Sequence, residues 1–154
     1  DAPRGLTPIE ATENIQTFVD SRLANNSNIK NTFLIGYSWG GGTVYEISEW
    51  LASTHPEINL AGATYIDAVK TGNYNLGQAE NRIPVGTNNV LNIYQSNHTG
   101  EKNLSGTSIS TEQSLLPFII EIDLDRDNNN DDHYTIDASA IPFISDFLKR
   151  IVHT

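Results

Sequence analysis

Thr32-Phe33-Leu34-Ile35-Gly36-Tyr37-Ser38-Trp39-Gly40-Gly41-Gly42-Thr43-Val44-Tyr45-Glu46-Ile47-Ser48-Glu49-Trp50-Leu51 joins two different periodicities through a cluster of glycines. The run 32–35 is apolar on consecutive residues, as in a parallel strand buried on both faces. From Thr43 onward Val44, Ile47 and Leu51 recur at helical spacing. Between the two lies Gly36-Tyr37-Ser38-Trp39-Gly40, a G-x-S-x-G. A sharp strand-to-helix turn there lifts the serine hydroxyl above the sheet edge. Glycines on either side permit a strained backbone and close approach of neighbouring elements. The positive end of the following helix faces the same spot and favours developing negative charge. Ser38 is therefore the candidate nucleophile.

On these residues the chain resembles the serine hydrolases of the α/β-hydrolase family, over about residues 8–152. The resemblance implies a three-layer α/β/α fold with a mainly parallel sheet. It also implies a triad in the chain order serine, acid, histidine. Ala63-Thr64-Tyr65-Ile66-Asp67 reads as a short strand ending in a carboxylate, and such strand ends are where open α/β sheets build sites. Ile66-Asp67-Ala68-Val69 is similar to the post-strand acid segment of lipase-like members. The family's commoner acid position follows the next strand, 89–95, where no acid occurs before Glu101. Asp67 is thus the expected acid, against the ordinary role of a post-strand aspartate in capping a turn.

Four histidines compete for the base. His55 precedes Pro56 at the far end of the helix from Ser38, His153 lies at the end of the chain, and His98 has no supporting pattern. His133 stands in Asp131-Asp132-His133-Tyr134-Thr135-Ile136-Asp137, a polar loop after the strand 118–122 and before a last amphipathic helix, 139–152. That is the family's position for the catalytic histidine. The resemblance assigns Ser38, Asp67 and His133 to the triad and the Trp39 backbone N–H to the oxyanion hole. The second oxyanion donor normally comes from a loop after an earlier strand, and this chain has no such segment. Tyr37 and Trp39 flank the nucleophile and are candidates for lining the acyl pocket or for ordinary packing around the turn.

Composition bounds the rest. The 154 residues fit one domain, large enough for a real core. There is no cysteine, which excludes disulfides and thiolate metal sites, and no run approaches the roughly 20 apolar residues of a transmembrane helix. A net charge of −10 with few lysines argues against nucleic acid and anionic membrane surfaces as partners. Much of the acid lies in 123–132. There Asp123, Asp125 and Asp127 alternate like the start of a calcium loop, but Asn128 replaces the expected glycine and Tyr134 the bidentate glutamate. A structural Ca2+ bracing the His133 loop and a solvated acidic loop are the two readings; no other cofactor is required. An extracellular or periplasmic location is slightly favoured over the cytoplasm, and the sequence leaves it undecided.

Thr7-Pro8-Ile9-Glu10 predicts a helix start, with Ile15, Phe18, Val19 and Leu23 on one face and an end near Asn25-Asn26. Residues 69–88 read as a loop or partial lid, and 96–116 as a second irregular stretch. The expected function is hydrolysis of small-molecule or lipid carboxylic esters, of lipase or esterase type, through an acyl-enzyme. A thioesterase or acyltransferase of the same fold is one alternative; a non-catalytic calcium-binding module that keeps the turn is another. In the family four strands precede the nucleophile strand, whereas 31 residues precede it here and read as one helix. The chain therefore reads as the C-terminal portion of a larger domain. A preceding segment or second chain would complete the sheet and bring the missing donor.

Overall fold

Thr7 caps the first helix as its sequence predicts, and the capping box is complete. Its hydroxyl accepts from the Glu10 N–H at 3.3 Å, and its own N–H donates to the Glu10 carboxylate at 2.8 Å. Those bonds from Thr7, the backbone one foremost, hold the Glu10 carboxyl below its usual pKa. A computed structural model of the chain describes residues 7–71, 77–96, 106–109, 118–124 and 133–152. Its elements are α1 (Pro8–Asn25), β1 (Asn31–Tyr37), α2 (Trp39–Thr54), β2 (Asn59–Ile66), β3 (Asn89–Tyr94), β4 (Phe118–Asp123) and α3 (Ile136–Val152). The four strands form one sheet in the order β1-β2-β3-β4, every neighbouring pair parallel. The protein is therefore α/β, with a four-stranded parallel sheet and three helices among the described residues.

Alternation along the strands sorts side chains onto two faces. In β1, Phe33 and Tyr37 join Ile66, Leu91, Ile93 and, from α3, Phe147, Ile144 and Ile151. Leu34 joins Ala63, Tyr65, Val90 and, from α2, Val44 on the opposite face. β2 and β3 are buried almost throughout, which explains why they are mostly apolar, with Thr64 and Asn92 as buried polar exceptions. β1 is less covered. Among the described residues it pairs with β2 alone, at the sheet edge, and leaves Ile35 48% exposed.

The apolar face expected on α1 is only partly packed. Ile15 and Phe18 remain exposed, Val19 and Leu23 are half-buried, and α1 rests chiefly on α2 rather than on the sheet. The link between them is polar: the Thr12 hydroxyl donates to Glu46, and Asp20 meets His55 at 2.8 Å. α3 begins at Ile136, three residues earlier than its periodicity indicated, because Ile136 and Ala140 are buried in its first turns. The described part of the 69–88 segment is pinned to the sheet and α2. Val69 bridges to Ala79, Glu80 N–H donates to Ala68 at 2.8 Å, and Val85 N–H donates to the Ser48 hydroxyl at 2.8 Å. Residues 72–76 of that stretch, expected to be a loop or partial lid, lie outside the described residues.

One polar atom in β2 works against the packing. Thr64 is fully buried, and its hydroxyl finds no hydrogen-bond partner among the described residues. An unsatisfied buried hydroxyl costs more than the methyl group that would replace it. Thr64→Val is predicted to raise the stability by about 1 kcal/mol, read as a higher urea midpoint at unchanged slope. An unchanged or lower midpoint would mean that the hydroxyl is satisfied after all.

Candidate active site

Parallel strands bring all their carboxyl ends to one edge of the sheet, and the chemistry-bearing residues collect there. Ser38 follows β1, Asp67 follows β2, Gln95 follows β3, and His133 stands between β4 and α3. Ser38 Oγ lies 2.8 Å from His133 Nε2, and His133 Nδ1 lies 2.7 Å from Asp67 Oδ2. A carboxylate only accepts, so the ring proton sits on Nδ1 and Nε2 is left as an acceptor for the serine hydroxyl. The three residues expected from the sequence are thus brought into one hydrogen-bonded line across 95 positions of chain.

Ser38 has φ 54° and ψ −126°, a region sparsely used by residues other than glycine, costing about 1–3 kcal/mol. The turn is fastened on both sides. Ser38 N–H donates to the Ile66 carbonyl at 3.0 Å, and the Ser38 carbonyl accepts from Gly41 and Val69, each at 2.9 Å. These bonds tie the turn to the end of β2 as well as to its own helix.

The glycines act by allowing close approach. A Cβ on Gly36 would meet the Gly40 carbonyl oxygen at 2.1 Å, so only glycine lets α2 fold back over the strand end. A Cβ on Gly41 would stand 2.2 Å from the Ala68 methyl, and one on Gly42 would lie 2.6 Å from both the Val69 oxygen and the Thr71 nitrogen. Segment 67–71 is thereby pressed against the first turn of α2, which brings Asp67 to the same sheet edge as Ser38. Gly40, by contrast, has open space where a side chain would go. The second glycine of the motif is therefore not the sterically demanding one; the two after it are.

Asp67 is fully buried at φ 44°, a left-handed conformation that aspartate tolerates better than most residues. Its carboxylate accepts from four donors: His133 Nδ1, the Gln95 side-chain amide at 3.1 Å, the Gln95 N–H at 3.4 Å and the Gly106 N–H. Gln95 occupies the strand-end position where the sequence lacked an acid. Gly106 is needed for its own approach, because a Cβ there would fall 2.9 Å from Asp67 Oδ1. Neither residue stands out in the sequence as part of a site. An amide at the end of a β3-like run was a signal for Gln95; a glycine in a polar stretch was hardly one for Gly106.

His133 is 5% exposed and sits on a turn just before α3. The Tyr37 ring stacks on the imidazole, with centroids 5.3 Å apart and planes at 29°, and the Tyr37 hydroxyl donates to the His133 carbonyl. Trp39 opens α2 and is 43% exposed. It lines an apolar groove of about 290 Å³ along the β1 edge, with Ala11, Ile15, Leu34, Ile35, Gly40, Thr43, Val44 and Ile47. His55 caps the far end of α2 between Asp20 and Glu57, away from the site. His98 and His153 lie outside the described residues.

Asp123 ends β4, but Asp125 and Asp127 lie outside the described residues, as do Asp131 and Asp132. Among the described residues no three histidine, aspartate or glutamate side chains gather closely enough to hold a metal ion. Comparison of the chain with known protein families, with curated protein sequences and with solved structures found no match.

Packing separates the roles of two neighbouring glycines. Gly41→Ala is predicted to destabilise by roughly 1–3 kcal/mol, because Ala68 cannot retreat without moving Asp67. Gly40→Ala, placed in open space within a helix, is predicted to leave stability unchanged or to raise it by up to about 1 kcal/mol. Chemical denaturation of both variants is the check, and the reverse order would contradict the assignment.

Proposed function

We propose that the chain carries the catalytic core of a carboxylic ester hydrolase of the α/β-hydrolase kind, working through an acyl-enzyme. The observation that carries this reading is the line from Ser38 Oγ through His133 to Asp67, at 2.8 and 2.7 Å, on a strained strand-to-helix turn. In support of the hydrolase-like layering, α2 packs on one face of the parallel sheet and α3 on the other.

Each group then has one task. A serine hydroxyl is a poor nucleophile at neutral pH, so His133 Nε2 takes its proton as Oγ attacks the ester carbonyl carbon. The tetrahedral intermediate collapses, the C–O bond to the alcohol breaks, and the imidazolium returns the proton to the departing oxygen. Water repeats the sequence on the acyl-enzyme and releases the acid. Asp67 stabilises the imidazolium and fixes the tautomer without taking the proton. The Trp39 N–H, at the start of α2, is the first oxyanion donor, where the helix end also favours negative charge.

The test is hydrolysis of p-nitrophenyl butyrate. Ser38→Ala is expected to abolish turnover with the fold retained. Asp67→Asn is expected to lower kcat by roughly 10⁴-fold with KM little changed, because the carboxamide favours the wrong imidazole tautomer. Turnover that survives Ser38→Ala would reject the triad. Turnover of the matching thioester in preference to the oxygen ester would move the reading to a thioesterase.

A further inference from the structure

We infer that Tyr37 is a positioning residue for His133, holding the base in register with the nucleophile. The contact stands on its own geometry; its kinetic consequences rest on the hydrolase reading above. The bonding directions of Nδ1 and Nε2 lie in the plane of an imidazole ring, and here they reach Asp67 at 2.7 Å and Ser38 at 2.8 Å. Two bonds on opposite sides of a ring fix its place along the line joining them, but they leave it free to rock about that line. A contact on the ring face opposes rocking, and a stacked ring covers more of that face than a perpendicular one. Tyr37 supplies that contact, stacked at 5.3 Å and 29°, while the Tyr134 ring stands nearly perpendicular at 5.7 Å and 80°.

The backbone needs the same support. His133 is on a turn, where no sheet ladder fixes its peptide, and the Tyr37 hydroxyl donates to the His133 carbonyl. Tyr37 in turn is anchored: it is the last residue of β1, in register with Ile66, and packs against the Phe147 cluster. Ser38 is the next residue in the chain. Base and nucleophile are therefore referenced to adjacent positions at one rigid strand end, so movement of the His133 turn relative to Ser38 is resisted by both face stacking and a hydrogen bond. A residue that merely lined the acyl surface would have no reason to reach the His133 carbonyl.

The experiment compares Tyr37→Phe and Tyr37→Leu with the unaltered chain, using p-nitrophenyl butyrate kinetics and proton NMR of the His133 Nδ1–H, assigned by its loss in His133→Gln. Tyr37→Phe keeps the stacked face and loses the hydroxyl bond; kcat is expected to fall roughly 3–10-fold with KM within about twofold. Tyr37→Leu loses both contacts; kcat is expected to fall roughly 100-fold, again with little change in KM, and the Nδ1–H resonance to broaden or vanish. A rise in KM at unchanged kcat would assign Tyr37 to substrate contact and overturn the inference. So would an unchanged Nδ1–H resonance in both variants, whatever the kinetics. If Tyr37→Leu does not fold, Tyr37→Phe decides through its kcat and the same resonance. Failure of the hydrolase reading looks different: no turnover in the unaltered chain, or turnover that survives Ser38→Ala, with the Nδ1–H comparison still deciding whether Tyr37 holds the ring.

Discussion

The contact on which the site depends is between two small residues, Gly41 and Ala68. It sets the distance between the first turn of α2 and the segment leaving β2, and three consequences follow from that distance. Val69 N–H reaches the Ser38 carbonyl, Gly42 N–H reaches the Val69 carbonyl, and Asp67 is left at the strand end facing His133. The unfavourable backbone of Ser38 is held by hydrogen bonds from both neighbouring elements, so the strain is distributed over the β1–α2–β2 unit. A serine on such a turn has its hydroxyl exposed to the edge of the sheet, whereas the same residue one turn into α2 would be turned toward the packing.

A second constraint concerns the acid. Burying a carboxylate completely is costly unless its oxygens are occupied. Asp67 meets that condition with donors from three separate stretches of chain, following β3, in 106–109 and at the entry to α3. Gln95 contributes twice, through its backbone and its side-chain amide. The Asp67 carboxylate is thus fixed in orientation, and a fixed carboxylate at Nδ1 selects one tautomer of His133. Local geometry at the sheet edge in this way determines a chemical property of His133.

How much of this could be read in the sequence varied with the kind of constraint. The turn at Ser38 was legible because glycines on both sides of a serine, between a strand period and a helix period, are what a tight strand-to-helix turn demands. β2 and β3 were legible as runs, since strands buried on both faces are predominantly apolar. Asp67 and His133 could be chosen by their places after strands and by the short segments around them, although composition alone did not distinguish them from a turn aspartate and a loop histidine. What stayed hidden were contacts between residues far apart in the chain: Gln95 and Gly106 on Asp67, and Tyr37 on His133. The roles of Gly41 and Gly42 were hidden for the same reason, because the Ala68 and Thr71 they admit have no pattern of their own. The partial packing of α1 was also illegible, since its periodicity reports which residues share a face and not what covers that face.

The central claim is that Ser38 is an activated nucleophile. The most direct measurement is stoichiometric reaction with diisopropyl fluorophosphate, followed by intact mass and mapping of the tryptic peptide 31–70, which contains Ser38. One phosphoryl adduct per chain is predicted, located on Ser38 and lost in His133→Gln, where no base remains to take the hydroxyl proton. An adduct that persists in Ser38→Ala, or a folded chain that takes up no phosphoryl group at all, would contradict it.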